Sequence, residues 1–200
     1  HIDVTPGSAV FSGPRTDIFG NEVNYFTVQE PHSSMEVTLH AQVEVLPVEY
    51  LDLNLSPKWE TALVASRETK DINAYQFTFD SKFVAASPVL SAYALPSFPA
   101  GRPFLAAVSD LTARIHRDFT YDPAATTVST PLDEVMQNRR GVCQDFAHLQ
   151  IGCLRSLGVP ARYVSGYICG GEHNGLPSLT GAQASHAWLS VLCPNFGWVD

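Results

Sequence analysis

Between Met35 and Val45 apolar and polar residues alternate without a break. Met35, Val37, Leu39, Ala41, Val43 and Val45 fall on one face, and Glu36, Thr38, His40, Gln42 and Glu44 on the other. A period of two sustained over that stretch is the pattern of a strand with one face buried, as in antiparallel sheets. By Phe104 the period has changed: Phe104, Val108, Leu111 and Ile115 recur at i, i+4, i+7 and i+11. That is the spacing of an amphipathic helix, and Pro103 suits its first position. A chain with the two periods in separate halves is expected to fold as a β part followed by a part that opens with helices.

Ahead of the alternating stretch, Asn24 to Val28 is aromatic and β-branched, and Phe19-Gly20-Asn21 supplies a turn. From Tyr50 to Pro96 only short apolar pieces stand out, such as Tyr75 to Phe79 and Phe83 to Ala86. Pro88, Pro96, Pro99 and Pro103 then read as a linker. The expected organisation is a β-rich N-terminal domain over 1–97 and a second domain over 98–200. In the second, Thr130-Pro131-Leu132-Asp133 announces a short helix with Thr130 as N-cap and Asp133 at N3, ending at Arg139-Arg140-Gly141. A third helix is expected from Cys143 to Leu157, burying Phe146, Ala147, Leu149, Cys153, Leu154 and Leu157, with Gly158 and Pro160 terminating it. Strands follow over Ala161 to Cys169, Ser185 to Leu192, and from Trp198, the last two joined across Cys193 to Gly197. The fold class is therefore α+β, and no internal repeat is present.

Composition narrows the function classes. Apolar residues make up 45% and charged residues 16%, against roughly 25% charged in an average soluble chain, so disorder is excluded. The net charge is -8, and the 12 Lys and Arg are scattered, with only Arg139-Arg140 adjacent. A nucleic-acid partner needs a concentrated basic field and is not expected. No apolar run reaches the roughly 18 residues of a membrane span. No signal peptide is visible at His1-Ile2-Asp3-Val4, where the chain begins as if in mid-strand; the cytoplasm is the default expectation. Cys143, Cys153, Cys169 and Cys193 contain no CxxC pair, so neither a metal site nor another cofactor is expected. A chain this long does not need disulfides.

Cys143 opens the third helix. A thiolate there meets unpaired backbone N–H groups and the positive end of the helix dipole, and the same N–H groups can hold a developing oxyanion. With an imidazolium beside it, such a thiol titrates well below the ordinary value of roughly 8.5. The alternative is that Cys143 is a small buried hydrophobe, as most free cysteines are. Cys153 lies on the inner face of the same helix and reads as core; Cys169 and Cys193, at strand ends, read as structural. A nucleophilic thiol needs a histidine from elsewhere in the chain. His148 reads as an exposed helix position pointing away from the first turn, His116 as a helix-end cation, and His173 as part of a Gly-rich loop. His186 begins a strand as Ser185-His186-Ala187-Trp188, which holds its ring rigidly with an aromatic on the same face.

Three segments carry a resemblance. They are Arg140-Gly141-Val142-Cys143-Gln144-Asp145-Phe146-Ala147-His148-Leu149, Leu154-Arg155-Ser156-Leu157-Gly158-Val159-Pro160-Ala161-Arg162-Tyr163-Val164-Ser165-Gly166-Tyr167, and Ser185-His186-Ala187-Trp188 followed by Gly197-Trp198-Val199. In that order they resemble the bacterial transglutaminase-like family over residues 100–200. More loosely, Asp17-Ile18-Phe19-Gly20-Asn21-Glu22-Val23, Pro31-His32 and the alternating strand resemble the family's N-terminal β domain. The resemblance implies a papain-like core with a Cys-His-Asp triad, the nucleophile on Cys143 and the general base on His186. The family's aspartate comes four residues after the tryptophan matched by Trp198, two positions past Asp200. With a tight 194–197 turn Asp200 faces about residue 191, some 17 Å along the strand from His186 at roughly 3.4 Å per residue, so it is a weak stand-in. Gln183 stands where members carry an acidic residue.

The expected activity is thiol-dependent acyl transfer on a protein or peptide amide. Water as acceptor would give a protease or amidase, and a lysine amine would give a cross-linking transglutaminase. The alternative is a non-catalytic binding module on the same fold. The loop from Gly170 to Ala184 is a candidate wall of the cleft, and Tyr121 is read as packing rather than as an oxyanion donor.

Overall fold

The alternating stretch pairs over fewer residues than its pattern spans. In the computed structural model, which describes residues 1–44, 51–68, 71–168 and 185–200, β1 (Ile2–Thr5) pairs antiparallel with β4 (Glu36–Leu39), Val4 facing Val37. A strand extends only as far as a neighbour satisfies its backbone groups, and β1 offers partners to Leu39, with His1 and His40 exchanging the last bonds. Between them, β2 (Val10–Thr16) and β3 (Glu22–Thr27) form a hairpin with an irregularity between Phe11 and Pro14. That is where a proline without an N–H is tolerated. The turn is closed by Asp17, whose carboxylate accepts from the N–H groups of Phe19 and Asn21 at 2.8 and 2.9 Å. Those bonds, with that from the Asn21 amide, hold its carboxyl below the ordinary range. None of the described residues before 45 is buried, and the expected inner face is open, Val37 and Leu39 included.

The chain divides into His1–Tyr50 and Leu51–Asp200, so the division falls well before the expected one near 98. The described residues between 51 and 98 hold three helices, α1 (Trp59–Glu68), α2 (Ile72–Tyr75) and α3 (Pro88–Ala94). The prolines read as a linker serve helix starts and turns. Pro88 follows the Ser87 N-cap, whose hydroxyl accepts from Leu90, and Pro96 lies in a short 3₁₀ turn. The segment is bonded into the second unit: the Trp59 N–H donates to Arg102, Phe104 to Pro57, and Leu105 to the Ser56 hydroxyl.

Helix α4 (Phe104–Asp118) buries Phe104, Leu111 and Ile115 of the expected stripe together with Leu105 and Ala107, leaves Val108 half-buried, and has Pro103 one position earlier as the N-cap. After β5 (Thr120–Tyr121) comes α5 (Leu132–Asn138), capped by Pro131 rather than Thr130. The Thr130 hydroxyl instead accepts from Thr127. Then follow β6 (Arg140–Gly141), α6 (Cys143–Ser156), β7 (Ala161–Gly166), β8 (His186–Cys193) and β9 (Gly197–Val199). Strands β7, β8 and β9 form one antiparallel sheet with β8 in the middle, in register from Gly166 opposite His186 to Ala161 opposite Val191. At the β8–β9 turn Asn195 and Gly197 adopt positive φ, 69° and 75°.

Helix α6 is the centre of the unit, with Leu149, Ile151, Cys153 and Leu154 at or near zero exposure. Gly152 explains how closely α3 approaches it: a Cβ there would stand 2.8 Å from Leu90 Cδ1 and 3.0 Å from Leu132 Cδ2. The Arg155 guanidinium, also buried, donates to the carbonyls of Ala161 and Phe79 and to the Ser81 hydroxyl. It thereby ties two segments, β7 and 79–81, to the helix. Among the described residues no helix is long and apolar enough to cross a membrane.

Truncating Leu154 removes a fully buried side chain. Leu154→Ala should cost about 2–5 kcal/mol in urea unfolding followed at the helical circular-dichroism band, whereas Val37→Ala, on an open face, should stay within about 0.5 kcal/mol.

Candidate active site

The start of α6 is fixed from both sides. Helix α5 ends in Arg139 at φ 55°, its guanidinium over the Phe119 ring at 4.7 Å. Strand β6 then pairs in parallel with β5, Tyr121 opposite Gly141. Cys143 is the first residue of α6, as expected, and Val142 is the N-cap. Valine has no side-chain acceptor, so the N–H groups of the first turn receive none from the cap.

Asp145 supplies the opposite half of a capping box. Its Oδ2 accepts from the Val142 N–H at 2.8 Å and from the Thr126 hydroxyl at 2.6 Å, with the residue 3% exposed. The carboxylate thus pins the 122–130 connection to the helix start. It also accounts for Gly141, where a Cβ would stand 2.7 Å from Asp145 Oδ2; close approach, not the expected tight turn, excludes a side chain. Sequence reading passed over Asp145, although its place three residues after the cap was a visible signal.

Cys143 lines a cavity of about 460 Å³ with Tyr121, Phe146, Ala187, Trp188 and Leu189. Tyr121, expected to pack, is 60% exposed and faces this cavity. His186 is the first residue of β8, directly before Ala187, and is half-buried. Alternation along the strand groups His186 with Trp188 and Ser190, the aromatic on the same face as expected. The cavity therefore joins Cys143 to the start of β8 through Ala187. Trp188 Nε1 donates to Asp200 Oδ2 at 3.1 Å. Since Val199 pairs with Val191, Asp200 stands across from Ser190, one residue nearer than expected and still roughly 14 Å along the strand from His186.

Burial pushes the Cys153 thiol up to about 12 and that of Cys193 up to about 11, which keeps both protonated at neutral pH. Cys169, His173, Gln183 and the loop from Gly170 to Ala184 lie outside the described residues. His116 is exposed in the last turn of α4. His148 differs from expectation: its ring is stacked on Phe83 at 5.8 Å and tilted against Tyr163 at 5.1 Å. Burial lowers its pKa and the Arg155 charge adds to that, while Asp145 opposes. Among the described residues no group of three or more His, Cys, Asp or Glu could hold a metal.

The sequence profile of the Transglutaminase-like superfamily matches residues 99–200, and that of the bacterial transglutaminase-like N-terminal region matches residues 1–44. The chain belongs to the transglutaminase-like superfamily. An uncharacterized protein of Mycobacterium tuberculosis is 38% identical over 205 residues, covering 99% of this chain and 64% of that protein; the chain thus spans just under two thirds of that relative's length. A protein-glutamine gamma-glutamyltransferase of Pseudomonas aeruginosa is 34% identical over 99 residues, covering 45% of this chain and 15% of its own. Among solved structures, a candidate cysteine protease from Cytophaga hutchinsonii superposes with a TM-score of 0.52 at 28% identity. The match covers 64% of this chain and 41% of that one. The α+β architecture is accordingly the transglutaminase-like one.

Two outcomes follow from the geometry. Asp145→Ala strands the Val142 N–H and should cost about 1–3 kcal/mol in denaturant unfolding, with Asp145→Asn in between. His148 has its folded pKa below the unfolded value of roughly 6.5, so between the two the unfolded chain binds more protons and stability falls as pH falls. His148→Gln should flatten that slope in unfolding measured between pH 7.5 and 5.

Proposed function

We propose that this chain carries thiol-dependent acyl transfer on peptide or side-chain amides, with Cys143 as nucleophile and His186 as general base. The observation that carries the reading is a thiol at the first position of a helix whose cap leaves the first-turn N–H groups available, lining a cavity shared with the start of β8. Cys143 Sγ attacks the amide carbonyl as its proton passes to the imidazole. The tetrahedral oxyanion is held by backbone N–H groups at the helix start, the C–N bond breaks, and the imidazolium returns its proton to the leaving amine. The resulting thioester passes its acyl group to water or to a primary amine. Asp200 is not proposed as the orienting acid, because its carboxylate serves Trp188. The glutamyltransferase and the cysteine-protease candidate among the similar proteins support both acceptors.

The test is acylation by p-nitrophenyl acetate. The chain should release a burst of about one p-nitrophenolate per molecule, absent in Cys143→Ala and slowed about 10²–10⁴-fold in His186→Ala. A primary amine added afterwards should appear in the acyl product if transamidation competes with hydrolysis. A burst that survives Cys143→Ala, or none at all, would leave the binding-module reading in place.

A further inference from the structure

Beside the α6 start, on a different set of walls from the Cys143 cavity, lies a second cavity of about 390 Å³. Its lining includes Lys82, Phe83, Gln144, His148, Arg155 and Tyr163. Gln144 follows Cys143 in the chain, and Tyr163 is close enough to Cys143 and Asp145 for their negative charges to raise its pKa, after burial. The walls are aromatic: Phe83, His148 and Tyr163 stand in succession, ring against ring. The charged groups on its lining are both cations.

Neither forms an ion pair among the described residues, in a chain of net charge -8, although the Asp80 charge acts on Arg155. Lys82 Nζ sits over the Phe83 ring at 5.0 Å. The 9% exposed Arg155 spends its donors on neutral oxygens, two on Ala161 O and one each on Phe79 O and Ser81 Oγ. Among the described residues that leaves one of its five N–H groups without a hydrogen-bond acceptor. The Asp80 charge reaches Arg155 while its carboxylate accepts from the Ala86 N–H, and Asp145 accepts from Val142 and Thr126. Two cations on an aromatic-walled cavity, Arg155 buried and Lys82 exposed at its edge, favour an anion attached to a flat or apolar body.

We propose that this cavity is a recognition site for a carboxylate carried next to an aromatic or apolar group of the acyl donor, with Lys82 and Arg155 as its cationic contacts and Phe83, His148 and Tyr163 as its walls. The proposal rests on the acyl-transfer reading for the word donor, but not for binding itself. The carboxylate is either a chain terminus or an acidic side chain, and the two are separable by probe.

The experiment is NMR titration of the Cys143→Ser chain, labelled in its histidine rings, with the His148 signals assigned by their loss in His148→Gln. Hippurate (N-benzoylglycine) should shift His148 saturably, and its neutral amide about tenfold more weakly or not at all. Lys82→Met should weaken hippurate about tenfold, and Lys82→Glu further, with no change for the amide. N-benzoylglutamic acid α-amide, with a side-chain carboxylate only, tells by its affinity which source the site prefers. Equal binding of hippurate and hippuramide, or hippurate binding indifferent to Lys82→Glu, would overturn the proposal. An ester burst at Cys143 without hippurate binding would remove this site and leave acyl transfer standing; binding without a burst would do the reverse.

Discussion

Helix α6 has almost no side left for water, and that constraint organises the second unit. From Asp145 to Arg155 nearly every residue is buried, against α3 on one side, and against the β7–β8 sheet. A helix held all round cannot slide or turn, so its first residue is fixed in space. The carboxylate of Asp145 extends this rigidity back through Val142 and across to Thr126. Cys143 therefore stands at a place defined by the core rather than by a loop, which is the condition a reacting group needs.

The same packing separates the thiols by environment. Cys153 and Cys193 are enclosed by apolar neighbours, and desolvation holds both in the protonated form. Cys143 is only half-buried and opens on a cavity. Its surroundings at the helix start are the first-turn N–H groups and the carboxylate of Asp145.

What could be read from the sequence followed the strength of its periodicities. The α4 stripe of Phe104, Leu111 and Ile115 (its fourth member, Val108, being half-buried), the α6 span with its Gly158 stop, and the β8 strand opening at His186 stand where the pattern put them, within a residue. Residues 51–98 were illegible because α1, α2 and α3 are short and half-exposed, so no apolar stripe has room to repeat, and prolines at helix starts look like a linker. The β4 strand is shorter than its alternation because pairing, not pattern, sets a strand's length. His148 went astray for a tertiary reason. Its neighbours Phe83 and Tyr163 come from distant parts of the chain, and nothing local announces them. Arg155 is a similar case, a charged residue whose acceptors lie on β7 and on the 79–81 segment.

The proposed function makes Cys143 a nucleophile in partnership with His186. The most direct measurement is the pH dependence of iodoacetamide alkylation, resolved by site with mass spectrometry, on the native chain and on His186→Ala. Cys143 should label rapidly below about pH 7 and lose that acid limb in His186→Ala, while Cys153 and Cys193 stay unlabelled until the chain unfolds. Cys143 labelling with an ordinary thiol profile near pH 8.5, unchanged by His186→Ala, would contradict the account.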